Sequence, residues 1–289
     1  MHRDSFINYL SAEKRFSAHT IVSYSSDIDQ FFVFILDNFN INRDISEINF
    51  QIVRSWIAYL LEQGISPRSV NRKISTLRTY FKFLIREGVL SESPMLRVVS
   101  PKTKKRLPLF IEEEQIEELL NEVRFDDGFI GDRDKLILEL FYVTGIRLSE
   151  LINVKISDIN FDNNIIKVLG KRRKERLIPI SITFSEGVKL FIKKYNIKCY
   201  LFTNIDGNQV YTKLVYRIVN RYIGKISSIN KKSPHILRHT FATHMLNNGA
   251  DINAIKELLG HANLMATQVY THNTIEKLKS VHKHAHPRA

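Results

Sequence analysis

Apolar residues recur at helical spacing through most of this chain, and between residues 164 and 180 the spacing changes to that of strands. Ile165, Ile166 and Val168, then Leu177, Ile178 and Ile180, read as two short strands around a basic turn that begins Gly170-Lys171-Arg172-Arg173, which is a hairpin. A chain with one such interruption is expected to be mainly α, with a small β-hairpin or sheet in its second half.

The first hundred residues predict a four-helix domain. Phe6, Ile7, Tyr9 and Leu10 mark one helix. Ser17 can cap a second, in which Ile21, Tyr24, Ile28, Phe31, Phe32, Ile35 and Leu36 share a face. A third covers about 51–63. The fourth opens with Ser66 as N-cap and Pro67 at the first helical position and stops at Gly88. Val70, Ile74, Leu77, Tyr80, Phe81 and Leu84 form its core stripe. Arg68, Arg72, Lys73, Arg78 and Lys82 read as its charged face, which suits either water or phosphate. Residues 91–108 carry three prolines and Lys102, Lys104, Lys105 and Arg106, a composition that resists helix and strand alike. The expected division is a helical domain at 1–98, a linker at 99–108 and a mixed, mostly helical domain at 109–289.

Charge narrows the partner. Lys and Arg number 43 against 30 Asp and Glu, a formal net charge of +13, which favours an acidic polymer, and the accompanying aromatics and periodicity point to a folded binder of nucleic acid. A single cysteine, Cys199, excludes an internal disulfide framework and a zinc site made of several cysteines. No stretch approaches the roughly 18 apolar residues of a membrane span. The expected location is cytoplasmic, on or near the chromosome, with no membrane partner.

In the second domain, Glu112, Glu113 and Glu114 suit the first turn of a helix buried through Ile116, Leu119, Leu120 and Val123. An apolar helix at about 131–142 delivers the turn Thr144-Gly145-Ile146-Arg147. Arg147 then stands at the start of a new helix, where backbone N–H groups also favour an anion. Glu150 is read as holding Arg147 or a neighbouring histidine. Further on, Val188 to Ile192 and Leu214, Ile218 and Tyr222 mark two helices, with Lys213, Arg217 and Arg221 as candidate DNA contacts.

Ser233 and Pro234 open a helix on which His235 and Arg238, three residues apart, share a face and can converge on one oxyanion. His261 and Tyr270 follow within forty residues. A tyrosine attacks phosphorus only with cations and a base beside it, because its phenol, with a reference pKa of about 10, is protonated at neutral pH. The set needs no metal or other cofactor. After it, Ile275, Leu278 and Val281 lie on one stripe of a short amphipathic helix that ends in the run His282-Lys283-His284-Ala285-His286. No carboxylates accompany that run, which argues against a metal site.

The combined pattern resembles the tyrosine recombinase family, also called the phage integrase family, most closely its Xer-type members. The H-x-L-R-H box is met from His235 to His239, the L-G-H box by Leu259, Gly260 and His261, and the nucleophile box by Tyr270, Thr271 and His272. Thr144 to Leu151 resembles the first-arginine box, and the turn from Gly170 to Arg176 resembles the hairpin with the family's lysine. This chain has Arg172 where a second Gly is usual. The resemblance implies Arg147, Lys171, His235, Arg238, His261 and Tyr270 as the catalytic set. It also raises the DNA reading of Arg72, Lys73 and Arg78, and of Arg172 and Arg173 on the hairpin.

The implied activity is site-specific DNA recombination through a 3'-phosphotyrosyl intermediate. Lys171 would serve as general acid or as a plain phosphate contact. The resemblance further implies a homo- or hetero-tetramer on two double-stranded recombination sites, and leaves room for a second Xer-type recombinase and a DNA translocase as partners. The C-terminal helix would pack into a neighbouring protomer or onto its own domain. Chromosome-dimer resolution is the favoured role, with integration or inversion of a mobile element as alternative. From other classes, a DNA-binding regulator would have no reason to hold all six residues, and a metal-dependent nuclease would need carboxylates near the histidines.

Overall fold

A computed structural model describes residues 2–41, 45–103, 109–170, 175–229, 232–260 and 272–288, the side chains of 272–275 excepted. The chain divides into two compact units, Met1–Arg106 and Leu107–Ala289, each with its own core.

The first unit contains α1 (Arg3–Asn8), α2 (Ala18–Phe39), α3 (Phe50–Glu62) and α4 (Pro67–Arg86). Three of these begin on side-chain caps that take up backbone N–H groups otherwise left unpaired. The Ser17 hydroxyl accepts from the Thr20 N–H at 3.3 Å, Asn49 Oδ1 from those of Gln51 and Ile52 at 2.9 and 3.2 Å, and the Ser66 hydroxyl from that of Ser69 at 3.2 Å. The expected stripe of α4 is buried throughout and meets Phe6, Ile28, Phe31 and Trp56. Each such side chain stabilises the fold by about 1.5–3 kcal/mol. Met95 and Val98 are buried in the same core, so the proline-bearing stretch after α4 belongs to this unit as far as Val98.

The second unit contains α5 (Glu113–Glu117), α6 (Phe129–Thr144), α7 (Leu148–Leu151), β1 (Ile159–Asn160), β2 (Ile165–Leu169), β3 (Glu175–Pro179), α8 (Ile182–Tyr195), α9 (Thr212–Ile226), α10 (Pro234–Asn247), α11 (Ile252–Leu259) and α12 (His272–Ala285). The strands form an antiparallel sheet in the order β1-β2-β3, with Ile166 opposite Ile178 and Leu169 opposite Glu175. β1 adds an edge that two residues are too short to announce by alternation. Helix α6 is the centre of this core, with Ile137, Leu138, Leu140 and Phe141 fully buried. Ser233 precedes α10, but its hydroxyl caps nothing; Pro234 and the bond from the Ile236 N–H to the Ser233 carbonyl, 2.9 Å, start the helix. Leu278 and Ala285 of α12 are buried against Phe241, Met245, Ile255 and Leu258, so the tail packs onto its own unit. Among the described residues no helix is long and apolar enough to cross a membrane.

Candidate active site

The last carbonyls of a helix have no partner within it, and the helix dipole leaves them negative. At the end of α11 three successive carbonyls are each taken by a different arginine. Arg176 Nε donates to Leu258 at 2.8 Å, Arg238 Nη2 to Leu259 at 2.7 Å and Arg147 Nη2 to Gly260 at 2.8 Å. Gly260 ends the helix at φ +66°, and a Cβ there would lie 3.1 Å from Arg176 Cδ. Arg238 has a second anchor, its Nη1 donating to the Gly145 carbonyl at 2.6 Å. Gly145 turns at φ +56°, and a Cβ there would lie 2.5 Å from Phe241 Cδ1 and 2.7 Å from Leu259 Cδ2. The turn before Arg147 therefore approaches α10 and α11 more closely than any other residue allows.

Glu150 ties the arginines together. It accepts the Arg147 backbone N–H and Arg147 Nη1, both at 2.8 Å, and both arms of the Arg176 fork, at 2.6 and 2.8 Å. Arg176 and Glu150 are buried, whereas the Arg147 side chain is 29% exposed. Burial alone would push the Glu150 carboxyl up, but hydrogen bonds and charge from Arg176 and then Arg147 hold it at about 2. Burial, then the charges of Arg147 and Arg176, push Arg238 down to about 9. Three guanidinium groups stand around one carboxylate, leaving an excess of two positive charges in a partly desolvated pocket.

A family model described as the phage integrase family matches residues 109–277, and one for the N-terminal SAM-like domain of phage integrases matches residues 4–88. The chain belongs to the phage integrase family, the tyrosine recombinases. Among curated relatives, the tyrosine recombinase XerC of Staphylococcus saprophyticus is 38% identical over 292 residues, covering 99% of this chain and 97% of that protein. That of Pelotomaculum thermopropionicum is 36% identical over 303 residues, covering 100% and 99%. Two solved structures share the fold. The XerH site-specific recombinase bound to its difH substrate before cleavage superposes with a TM-score of 0.70 at 21% identity, covering 90% of this chain and 79% of that one. The Tn1549 transposon integrase in complex with transposon right end DNA gives 0.70 at 16%, covering 95% and 97%.

In this recombinase the structure brings Arg147 and Arg238, both named by the family resemblance, to one helix end. His235 is exposed on α10, one turn before Arg238. Lys171, Arg172, Arg173, His261 and Tyr270 lie outside the described residues. Arg176 is a member of the cluster that sequence reasoning used only as the end of a motif. Its signal was alternation: on β3 it shares a face with Ile178, and both are buried.

One expectation changes. Lys73 does not belong to the charged face of α4. It is 6% exposed, and its ammonium donates to Asp27 Oδ1 at 2.9 Å and to Gln30. Arg72 grips the same carboxylate with both arms of its fork but remains 47% exposed, and Arg78, also exposed, donates to the Val98 carbonyl at 2.8 Å. Within the histidine run of the tail, Lys283 and His284 are exposed. His282 and His286 are buried and hydrogen-bond the Val143 and Tyr142 carbonyls, at 2.8 and 3.0 Å, which are the orphan acceptors at the end of α6. Burial lowers both imidazoles, His286 to about 3 with the neighbouring His282 adding to the effect.

Proposed function

We propose that this recombinase breaks and rejoins DNA with Tyr270 as nucleophile and Arg147, Arg238, His235 and His261 around the scissile phosphate. The Tyr270 oxygen bonds to phosphorus, a histidine of the set takes the phenol proton, and the bond from phosphorus to the 5' oxygen breaks as Lys171 protonates that oxygen. The 3'-phosphotyrosyl bond keeps the energy of the phosphodiester, so a second 5' hydroxyl reverses the step on a new partner strand. The observation that carries this reading is the trio of arginines on consecutive carbonyls at the end of α11, immediately before His261 in the chain. Their excess positive charge and the depressed Arg238 describe a pocket that a phosphoryl oxyanion would relieve.

On this reading the substrate is a double-stranded recombination site, with four protomers on two sites, and the role is chromosome-dimer resolution. Full-length likeness to relatives named XerC supports that role over integration of a mobile element. A second Xer-type recombinase and a DNA translocase are the expected partners, near the nucleoid. Lys171 acts as general acid, and the exposed Arg72 and Arg78 lie along the DNA backbone together with Arg172 and Arg173. Lys73, spent inside its own unit, is left out of that contact.

The test is covalent trapping in EDTA on nicked duplexes drawn from the organism's own DNA, wild type beside Tyr270→Phe. An adduct that survives SDS for wild type alone is expected, and sequencing the trapped DNA should return one chromosomal locus. Tight binding without an adduct, with the second Xer-type recombinase added as well as without it, would overturn the reading.

A further inference from the structure

Arg176 touches no surface that a substrate can reach. It is 3% exposed, and its donors run to both oxygens of Glu150 and to the Leu258 carbonyl. Through those bonds one side chain joins three separate parts of the site. It stands on β3, a strand that begins four residues after Lys171 in the chain. It grips the carboxylate that orients Arg147 by side chain and backbone. It also closes the end of α11, two residues before His261 along the chain.

We propose that Arg176 is a positioning residue of the strand-cleavage site, which divides the charge of Glu150 so that Arg147 is oriented by that carboxylate without being neutralised by it. The inference rests on the function proposed above. Its logic is electrostatic. A buried carboxylate seeks full compensation. With Arg176 present it receives two cations, and the pocket keeps two positive charges in excess. Without Arg176 the whole carboxylate falls on Arg147, the excess drops to one, and Glu150 loses its strongest reason to stay ionised. Removing both charges restores the excess to two and leaves no unpaired buried ion.

The full-length protein is assayed as wild type, Arg176→Gln, Glu150→Gln and the double variant, by single-turnover adduct formation on a nicked duplex between pH 5.5 and 9. Affinity for the same duplex and the thermal unfolding transition are measured in parallel. Arg176→Gln is expected to slow adduct formation about a hundredfold at pH 7.5, the scale of a lost oxyanion donor, while affinity changes less than about threefold. Its rate relative to wild type should rise as pH falls, because protonation of Glu150 returns the missing charge. The double variant should recover at least about tenfold over Arg176→Gln and lose that pH dependence. An unrescued double variant, or a wild-type pH profile in Arg176→Gln, overturns the inference.

Should Arg176→Gln fail to fold, Arg176→Lys replaces it. This variant keeps the charge and loses the fork, so about tenfold slowing with no new ionisation is expected, and a wild-type rate overturns the proposal. A wild-type protein that forms no adduct overturns the strand-cleavage reading itself. A fast wild type beside an unrescued double variant overturns the role of Arg176 alone.

Discussion

Each unit of this recombinase buries one carboxylate under two cations, and the two nodes are put to different use. Asp27 receives four hydrogen bonds, two from Arg72 and one each from Lys73 and Thr76, all of them residues of α4. Glu150 also receives four, from Arg147 and Arg176, but those arginines continue outward to the end of α11. The first node staples one helix to another, and its ammonium has no surface to act on. The second gathers residues more than a hundred positions apart in sequence and leaves one member, Arg147, partly open to solvent. A buried ion pair is thus no sign of function by itself. Each node keeps one cation partly open, Arg72 in the first and Arg147 in the second; what distinguishes the Glu150 node is that both its arginines also reach carbonyls at the end of α11, beside Arg238.

If that contrast is right, damage to the second node should appear in rate and damage to the first in stability. The largest effect is expected for Arg238→Lys, beside the second node on the same helix end, which keeps a charge but cannot bridge the Gly145 and Leu259 carbonyls together. Adduct formation should fall by about a thousandfold, near 4 kcal/mol of activation free energy, in a protein that melts normally. A loss within tenfold would erase the distinction between the nodes.

Lys73→Met probes the other side. It leaves Asp27 buried with one cation fewer, and urea unfolding should show about 3 kcal/mol of lost stability. The salt dependence of DNA binding should not change, whereas Arg72→Gln, at an exposed position, should reduce that slope by about one. Equal slopes in both variants would mean that exposure is no guide to which cation meets phosphate.

The smallest effect is local and compares charged nodes with neutral contacts. Glu150, held at about 2, stays ionised through the neutral range. His282 and His286 are different: burial lowers both imidazoles below the ordinary 6.5, His286 to about 3, so the docking they provide is complete above 6.5 and weakens as pH falls below it. Hydrogen exchange of residues 276–288, corrected for intrinsic rates, should show opening more frequent at pH 5.5 than at pH 7.5, with the share of His286 about tenfold. Substituting Asn for either residue should remove its share of the pH response, and an unchanged response would break the assignment.

Much of this was legible in the sequence. Ser66-Pro67 marked the start of α4, and the change of period marked the hairpin, because caps and alternation are local. Arg147 and Arg238 were singled out because their boxes resemble those of the family, and both reach the end of α11. Lys73 was misplaced because its residue type outweighed its position. It lies three residues after Val70 and four before Leu77, on the buried face, and only the carboxylate of Asp27 on another helix makes that burial tolerable. Arg176 was passed over for the same reason. No local pattern shows that a cation 26 residues from Glu150 will meet it, since that contact exists only once β3 and α7 are assembled. The interior histidines of the tail depend likewise on carbonyls exposed by the end of α6.

The carbonyls at the end of α11 also have a thermodynamic meaning. A free arginine side chain has about 2 kcal/mol of rotamer entropy to lose when it is fixed. Arg147, Arg176 and Arg238 lose it when the domain folds, because the helix end and Glu150 hold their planes before any DNA arrives. Ordering these side chains is therefore charged to folding, once per molecule, and not to each strand exchanged.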